Sequence, residues 1–392
     1  MDNTLKIALI GSRGIPAKYG GNESITEELA QRLTKKGWKV YVTCESKKFH
    51  IDDYNGIIRV HTPSFEGKTI TIPSLNDIIA TYYLLLKYPD IKILSYTSFD
   101  VFLGAIIPKL LGKKIIMNTD GIEWKRPIIR RKYLSKGWKL VSILGSWYLK
   151  WMEKMAPRLS NIVIADANAI KTYLEESYKA KNVIFIPYGA RELIDSNIPL
   201  EKEYKVLNEF GLSLEDYYLT VARIVAENNI HQEIEGFKKS GSNKKLFIVG
   251  NFIEKDGYTK YLFRQRNDDP KIIFSNPIYD KDTLGVLRKN CYSYIHAYEL
   301  GGTNPSLLEQ MLFKKPILAY DVPFHKEILQ EGGIYFKDEN HLADCIRRLE
   351  QGKFDIAKMG NWQAKRIIEE YNWDIVTEKY NSLFKELLVI NE

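Results

Sequence analysis

Short apolar runs alternate with helical patterns along the whole chain, and that alternation restricts the fold more than any other feature of the sequence. Leu5–Ile10 (LKIALI) has the apolar character of a buried strand. Asn22–Lys36 follows, with Ile25, Leu29 and Leu33 recurring at helical spacing, and Gly37 stands where a glycine commonly ends a helix. Lys39–Thr43 is the next strand, and Ile57–His61, Ile91–Tyr96, Lys114–Asn118, Ile162–Ala165 and Val183–Pro187 continue the set. Strand, helix, strand at this spacing predicts a doubly wound parallel sheet.

The alternation restarts after a polar stretch, Arg191–Asp216. Tyr217–Val221, Lys245–Val249, Lys271–Phe274, Ser293–His296 and Pro316–Ala319 are predicted strands. His231–Lys239, Lys281–Lys289, Ser306–Phe313 and His341–Gln351 carry helical patterns. A chain of 392 residues has room for two domains. The sequence therefore predicts an α/β protein of two Rossmann-like domains, residues 1–190 and 191–370, hinged near Gly189–Asp195 and facing across a central cleft. Ligands of such sheets sit beyond the carboxyl ends of the strands, so functional motifs belong in the loops that follow strands.

Composition narrows the class. The chain is 45% hydrophobic and 27% charged, ordinary for a globular protein. No apolar run reaches about 18 residues, so no transmembrane helix is expected. The start, Met1–Thr4, has no basic region or cleavage site, so no signal peptide is read. Cys44, Cys291 and Cys345 lie far apart, and the six histidines are scattered. Neither a disulfide framework nor a zinc site is indicated, and a cytoplasmic setting fits.

The net charge of +8 is unevenly placed. Residues 124–158 hold ten basic side chains against one acid, Glu153, interleaved with Trp124, Tyr133, Trp138, Trp147, Tyr148 and Trp151. Such a stretch suits an anionic lipid or nucleic-acid surface; a solvated helical face with buried aromatics is the plainer alternative. No DNA- or RNA-reading motif accompanies it, so nucleic acid is not the expected partner.

Four motifs carry chemical content. Gly11 to Gly21 (GSRGIPAKYGG) joins the first strand to the first helix. It departs from the dinucleotide fingerprint, yet its four glycines let backbone N–H groups approach a phosphate, with Arg13 and Lys18 adding charge. Val221–Asn229 (VARIVAENN) follows the first strand of the second domain, and Arg223 at its start suits a diphosphate unless it is a surface ion-pair partner. His296–Glu309 (HAYELGGTNPSLLE) offers the Gly301–Ser306 amides as an anion site, and Glu309 as either a ribose contact or a partner of the helix dipole. Asn118–Arg126 (NTDGIEWKR) puts Asp120 at a strand end, where it is a catalytic group or a turn-forming residue.

Together these motifs resemble the retaining GT-B glycosyltransferases of family 4 over nearly the whole chain. Gly20–Glu23 is similar to that family's donor-diphosphate loop, Ala222–Ile224 to its G-R-L element, and Pro305–Glu309 to the end of its E-G-F-G-L-P-x-L-E element. IGSRGIPAKYGG, VARIV-x-ENN and GGTNPSLLE resemble the bacterial rhamnosyltransferase subgroup more closely. The resemblance implies transfer of L-rhamnose from dTDP-L-rhamnose to a lipid-diphosphate-linked saccharide, with retention and without a metal or other cofactor. Another UDP- or GDP-sugar donor, or a non-catalytic sugar-nucleotide binder, are the alternatives.

Roles follow the matched positions. Asp120 and Arg223 are the expected catalytic residues. Gly20, Gly21, Gly302, Thr303, Asn304, Ser306, Leu307 and Glu309 are expected on the donor, with Asn276 and Ile278 near its base. Arg13, Tyr19, Glu123 and His296 are the candidates for the sugar or acceptor. The last helix, Asp374–Leu388 within residues 371–392, is expected to return to the first domain. Three positions depart from the family: Asn228 replaces a phosphate-binding lysine, Gly301 replaces the first glutamate of the E-x7-E pair with Glu299 off register, and Asp120 replaces a histidine. The basic stretch, in this light, becomes a dock on the inner face of the cell membrane.

Overall fold

A computed structural model describes residues 5–17, 21–64, 73–99, 102–119, 121–191 and 198–389. The chain divides into two compact units. The first holds an eight-stranded sheet built from β1 (Lys6–Ile10), β2 (Lys39–Ser46), β3 (His50–Tyr54), β4 (Ile57–Pro63), β5 (Ile93–Tyr96), β6 (Lys114–Thr119), β7 (Ile162–Ala165) and β8 (Val183–Phe185). Its order is β3-β4-β2-β1-β5-β6-β7-β8, reversing direction between β1 and β5. The second holds β9 (Tyr217–Val221), β10 (Lys245–Val249), β11 (Ile272–Ser275), β12 (Ser293–His296), β13 (Ile317–Tyr320) and β14 (Ile334–Phe336). There the order β11-β10-β9-β12-β13-β14 is that of a nucleotide-binding Rossmann sheet, with its reversal between β9 and β12.

Among the described residues every strand pairing is parallel except β3 with β4. That antiparallel edge departs from the purely parallel expectation. Asn55 and Gly56 link the two strands, both with positive φ (55° and 80°), the backbone of a tight hairpin turn. The Asn-Gly pair is a recognisable hairpin signal, but HIDDY is too polar to stand out as a strand. Likewise the polar stretch after Arg191 contains a helix, Leu200–Glu209, whose Val206 and Leu207 are buried together with Glu203, which pairs with Lys289.

The units do not follow the expected boundaries. Unit 1 comprises Met1–Trp124, Trp147–Tyr188 and Trp373–Glu392; unit 2 comprises Lys125–Ser146 and Gly189–Asn372. Residues 125–146, counted with the first domain from the sequence, belong to the second because their apolar and charged groups find partners there. Ile129 and Tyr133 pack on its core. The Tyr133 ring meets Tyr258 edge-on at 4.8 Å between centroids. Gly257 admits this approach, since a Cβ there would fall 2.3 Å from the Tyr133 carbonyl oxygen. Arg130 grips the buried Glu227 with a two-pronged ion pair.

Helix Trp373–Val389 belongs to the first unit. Its Trp373, Val376, Tyr380, Leu383, Phe384 and Leu387 join the same apolar core as Ile7, Leu9, Leu29, Leu33 and Trp38. The Trp38 indole donates to Asn381 Oδ1 at 2.9 Å. Burial of these side chains, at about 1.5–3 kcal/mol each, holds the 17-residue helix on that core.

Candidate functional site

In the second unit the loops after β9, β10, β11 and β12 emerge from one edge of the sheet, around the reversal between β9 and β12. Arg223 is exposed, two residues past β9, and has no ion-pair partner among the described residues. That removes the ion-pair alternative and leaves a planar guanidinium free for a diphosphate. Its backbone is fixed: Asn228 donates Nδ2–H to the Arg223 carbonyl at 2.5 Å, as does the Val225 amide at 3.0 Å. Asn228 is buried, so the residue standing in for the family lysine is a brace for the arginine loop. Gly250, after β10, packs so closely that a Cβ would lie 2.5 Å from the Ala222 carbonyl oxygen.

The loop after β12 leads into helix Pro305–Met311. Asn304 caps it, its Oδ1 accepting from the Ser306 amide at 2.9 Å, and the Leu307 amide bonds to the Asn304 carbonyl at 3.0 Å. The expectation that the Ser306 and Leu307 amides serve the donor is thereby corrected, because the helix cap already uses them. Leu307 is fully buried and acts as core. Gly301, Gly302 and Thr303 are also buried, while Asn304 and Ser306 are half-exposed. A Cβ at Gly301 would fall 2.0 Å from the Tyr298 ring. The Tyr298 hydroxyl in turn accepts from Arg126 Nη2 at 2.9 Å. No glutamate fits at Gly301 for that steric reason.

Glu309 lies in the second turn of its helix, past the first, which corrects its placement beside the dipole's positive end. Its side chain is 14% exposed, and Arg288 Nη2 donates to its Oε2 at 3.2 Å. Burial pushes the Glu309 carboxyl above its ordinary range, against the pull of Arg288, Arg191 and Lys281. Asn276 and Tyr279, after β11, are exposed and Ile278 is half-buried. His296 is buried against His325, ring centroids 4.8 Å apart, and neither Nε2 has a partner among the described residues. Burial drives the His296 pKa well below the usual value and that of His325 to about 4, so both rings are neutral at pH 7. Beneath the same loops Glu233 is fully buried, pushed up to about 8 by burial, with Thr220 Oγ1 donating to it at 2.6 Å.

In the first unit the glycine turn after β1 is built differently. Gly11 (φ 104°) and Gly14 (φ 127°) adopt backbone that other residues avoid. The Arg13 amide bonds to Glu23 Oε1 at 3.4 Å and the Ala17 amide to Glu27 Oε2 at 2.9 Å. Arg59 Nη1 donates to the Ile15 carbonyl at 3.0 Å. So two amides of this turn are satisfied by the protein's own carboxylates. The exposed Gly21 begins helix Gly21–Lys35. Lys18, Tyr19 and Gly20 lie outside the described residues, as does Asp120. Arg13 is exposed and Glu123 half-exposed. Behind the turn, Thr26, Ser95, Thr97, Asn118 and Tyr380 line a cavity of about 30 Å³, room for a water molecule.

The scattered histidines also gain neighbours. Antiparallel pairing sets His50 opposite His61 with stacked rings 3.9 Å apart, and Asp52 close by. Arg59 occupies both Asp52 oxygens (2.8 and 2.6 Å), and parallel stacked imidazoles do not aim their lone pairs at one point. The group is a hydrogen-bonded surface cluster in this arrangement.

Residues 210–371 match the family described as glycosyl transferases group 1. Residues 4–191 match a domain described as being of unknown function, DUF1972. The fold is similar to that of sucrose-phosphate synthase from Thermosynechococcus elongatus, with a TM-score of 0.79 and 16% identity, covering 98% of this chain and 100% of that one. The chain is a GT-B glycosyltransferase related to the group 1 enzymes. This glycosyltransferase is also 20% identical to the O-antigen chain mannosyltransferase RfbU of Salmonella typhimurium, over 85% of its own length and 93% of the relative's. Its fold is similar to Anabaena HepE, solved in complex with UDP-glucose (TM-score 0.71, 14% identity, 98% and 99% covered).

Two features of the glycosyltransferase escaped the sequence. Arg288 sits in the last turn of helix Lys281–Asn290, where it reads as an exposed charge, yet it is fully buried and bonds to Glu309. Arg126 and Arg130 read as part of a basic stretch, yet they hold Tyr298 and Glu227 in the loops after β12 and β9. No helix among the described residues is long and apolar enough to cross a membrane.

Proposed function

We propose that the enzyme transfers a hexosyl group from a UDP- or GDP-sugar to a saccharide acceptor, with Arg223 on the donor diphosphate and Glu309 on its ribose. The observation that carries this reading is the pairing, at one sheet edge, of an exposed arginine with no ion-pair partner among the described residues and a carboxylate held by a buried arginine. In the reaction the bond from the anomeric carbon to the donor phosphate oxygen breaks, and the diphosphate leaves with the electron pair. The acceptor oxygen bonds to that carbon and its proton passes to the departing diphosphate, on the retaining course. Arg223 stabilises the growing negative charge, the largest kind of contribution such a site makes. The family resemblance implies a reaction without a metal, and at that edge Arg130 engages Glu227 and Arg288 engages Glu309. Asp120 remains the candidate for sugar hydroxyls on the strength of its motif.

The related mannosyltransferase and the UDP-glucose complex of HepE favour a UDP- or GDP-hexose donor. The rhamnosyltransferase-like motifs keep dTDP-L-rhamnose as a second reading. A thermal-shift and turnover screen with UDP-glucose, UDP-GlcNAc, GDP-mannose and dTDP-L-rhamnose decides between them. Turnover confined to dTDP-L-rhamnose removes the first reading, and no turnover with any of them removes both.

The acceptor side adds a membrane. Helix Lys136–Leu159 turns Ser142, Ser146 and Ala156 inward and leaves Leu144 (62%) and Trp147 (74%) exposed, with Trp138, Leu140 and Val141. Large apolar groups outside and serines inside invert the usual pattern of a water-facing helix. With ten basic residues around it, this face fits the anionic inner leaflet, each lysine or arginine adding about 1 kcal/mol. Flotation with anionic vesicles is expected to carry the protein up, and Trp147→Ala with Leu144→Ala to release it; equal binding to neutral vesicles counts against the reading.

A further inference from the structure

We infer that Arg288 is the positioning residue for donor recognition: it fixes Glu309 with one carboxylate oxygen held and the other left for the donor's ribose. This rests on the ribose contact proposed for Glu309. The guanidinium has no exposed surface, and sealing a cation inside a protein costs several kcal/mol unless its donors are met. The two terminal nitrogens are met by one helix turn, while Nε has no hydrogen-bond partner among the described residues. Nη1 donates to the Ser306 carbonyl at 3.1 Å and to Gln310 Oε1 at 3.3 Å; Nη2 donates to Ser306 Oγ at 2.7 Å and to Glu309 Oε2 at 3.2 Å. The Tyr294 ring lies 5.2 Å from the guanidinium carbon.

The same contacts reach the arginine loop. Ser306 Oγ donates to the Val221 carbonyl at 3.1 Å, and Tyr294 OH reaches that carbonyl at 3.2 Å. Val221 ends β9, two residues before Arg223. One buried cation thus sets the carboxylate at one side of the edge and steadies the strand end that carries the diphosphate-binding arginine at the other. Its sole anionic partner among the described residues is Glu309, the member of the pair that keeps some exposure. Glu309 Oε1 has no hydrogen-bond partner among the described residues, which leaves it for two vicinal hydroxyls.

Ionisation distinguishes this role from packing. Glu309 accepts hydroxyl hydrogens best as a carboxylate, and burial opposes that form; Arg288, Arg191 and Lys281 are the cations that restore it. Losing Arg288 raises the Glu309 pKa further, so donor affinity must fall away at a higher pH than in the native enzyme.

The test is a double-mutant cycle read by calorimetric titration of the full chain with UDP between pH 5.5 and 8.5, and repeated with dTDP. Arg288→Gln is expected to weaken UDP binding about tenfold at pH 7.5, the scale of one charged hydrogen bond. Its acid limb moves upward in pH, and in a Glu309→Gln background the same change has an effect under about twofold. Arg288→Lys keeps the native acid limb while recovering only part of the affinity, because an ammonium lacks the fork. Independent, multiplying effects of the two substitutions, or equal loss at every pH, overturn the inference. Should Arg288→Gln fail to fold, Arg288→Lys carries the cycle with Glu309→Gln. If Glu309→Gln alone leaves UDP affinity unchanged, the ribose contact is wrong and the positioning role falls with it, a result distinct from loss of coupling.

Discussion

Each unit hands its first strand over to a helix through a tight turn, and the two turns are charged in opposite ways. After β1, the Arg13 and Ala17 amides face Glu23 and Glu27. After β9, Arg223 is exposed with no ion-pair partner among the described residues, and the carboxylates Glu227 and Glu309 are each paired with an arginine. Glycines permit close packing at both, within the first turn at Gly11 and Gly14 and beside the second at Gly250, but what approaches is set by the side chains that arrive from elsewhere. The first turn has an internal anion in place; the second keeps an unspent cation.

Two substitutions test that contrast, the larger first. Arg223→Ala is expected to reduce turnover about 100-fold, the usual loss for one transition-state donor, with the melting temperature unchanged because the side chain is exposed. Near-native turnover breaks the comparison by removing the cation's function. Glu27→Gln should lower stability by about 1 kcal/mol, through a weakened bond to the Ala17 amide and to the Tyr54 hydroxyl, while UDP affinity stays within about twofold. Urea unfolding together with calorimetry measures both. A large gain in UDP affinity in that variant would instead mean that Glu27 occupies a place the donor's phosphate wants.

The glycosyltransferase fold was legible because its strands are buried on both faces and stand out as apolar runs; β1, β6, β7, β9, β10 and β12 fall within a residue or two of their expected ranges. What escaped was polar and local. β3 carries HIDDY on an exposed edge, and Leu200–Glu209 is charged on all but one narrow face. At the site, Arg223 and Glu309 were named from their positions after strands, and they do lie on the same sheet edge. The role of the Ser306 and Leu307 amides was misjudged because a cap by Asn304 competes with any ligand for them. Arg288 could not be found at all. Nothing in KDTLGVLRKN separates a buried arginine from its exposed neighbour Lys289, since the distinction depends on which helix packs over it.

Helix Trp373–Val389 has a consequence for how the protein comes into being. Trp38 bonds to Asn381 across 343 positions, and the core that includes β1 and β2 is completed by Tyr380, Phe384 and Leu387. During synthesis the second unit, apart from residues 125–146, is made without interruption, whereas the first emerges early and waits. Until the chain has been extended past residue 389, its oldest strands keep an apolar flank open to water, and the nascent protein depends on chaperones or on speed to reach that point intact.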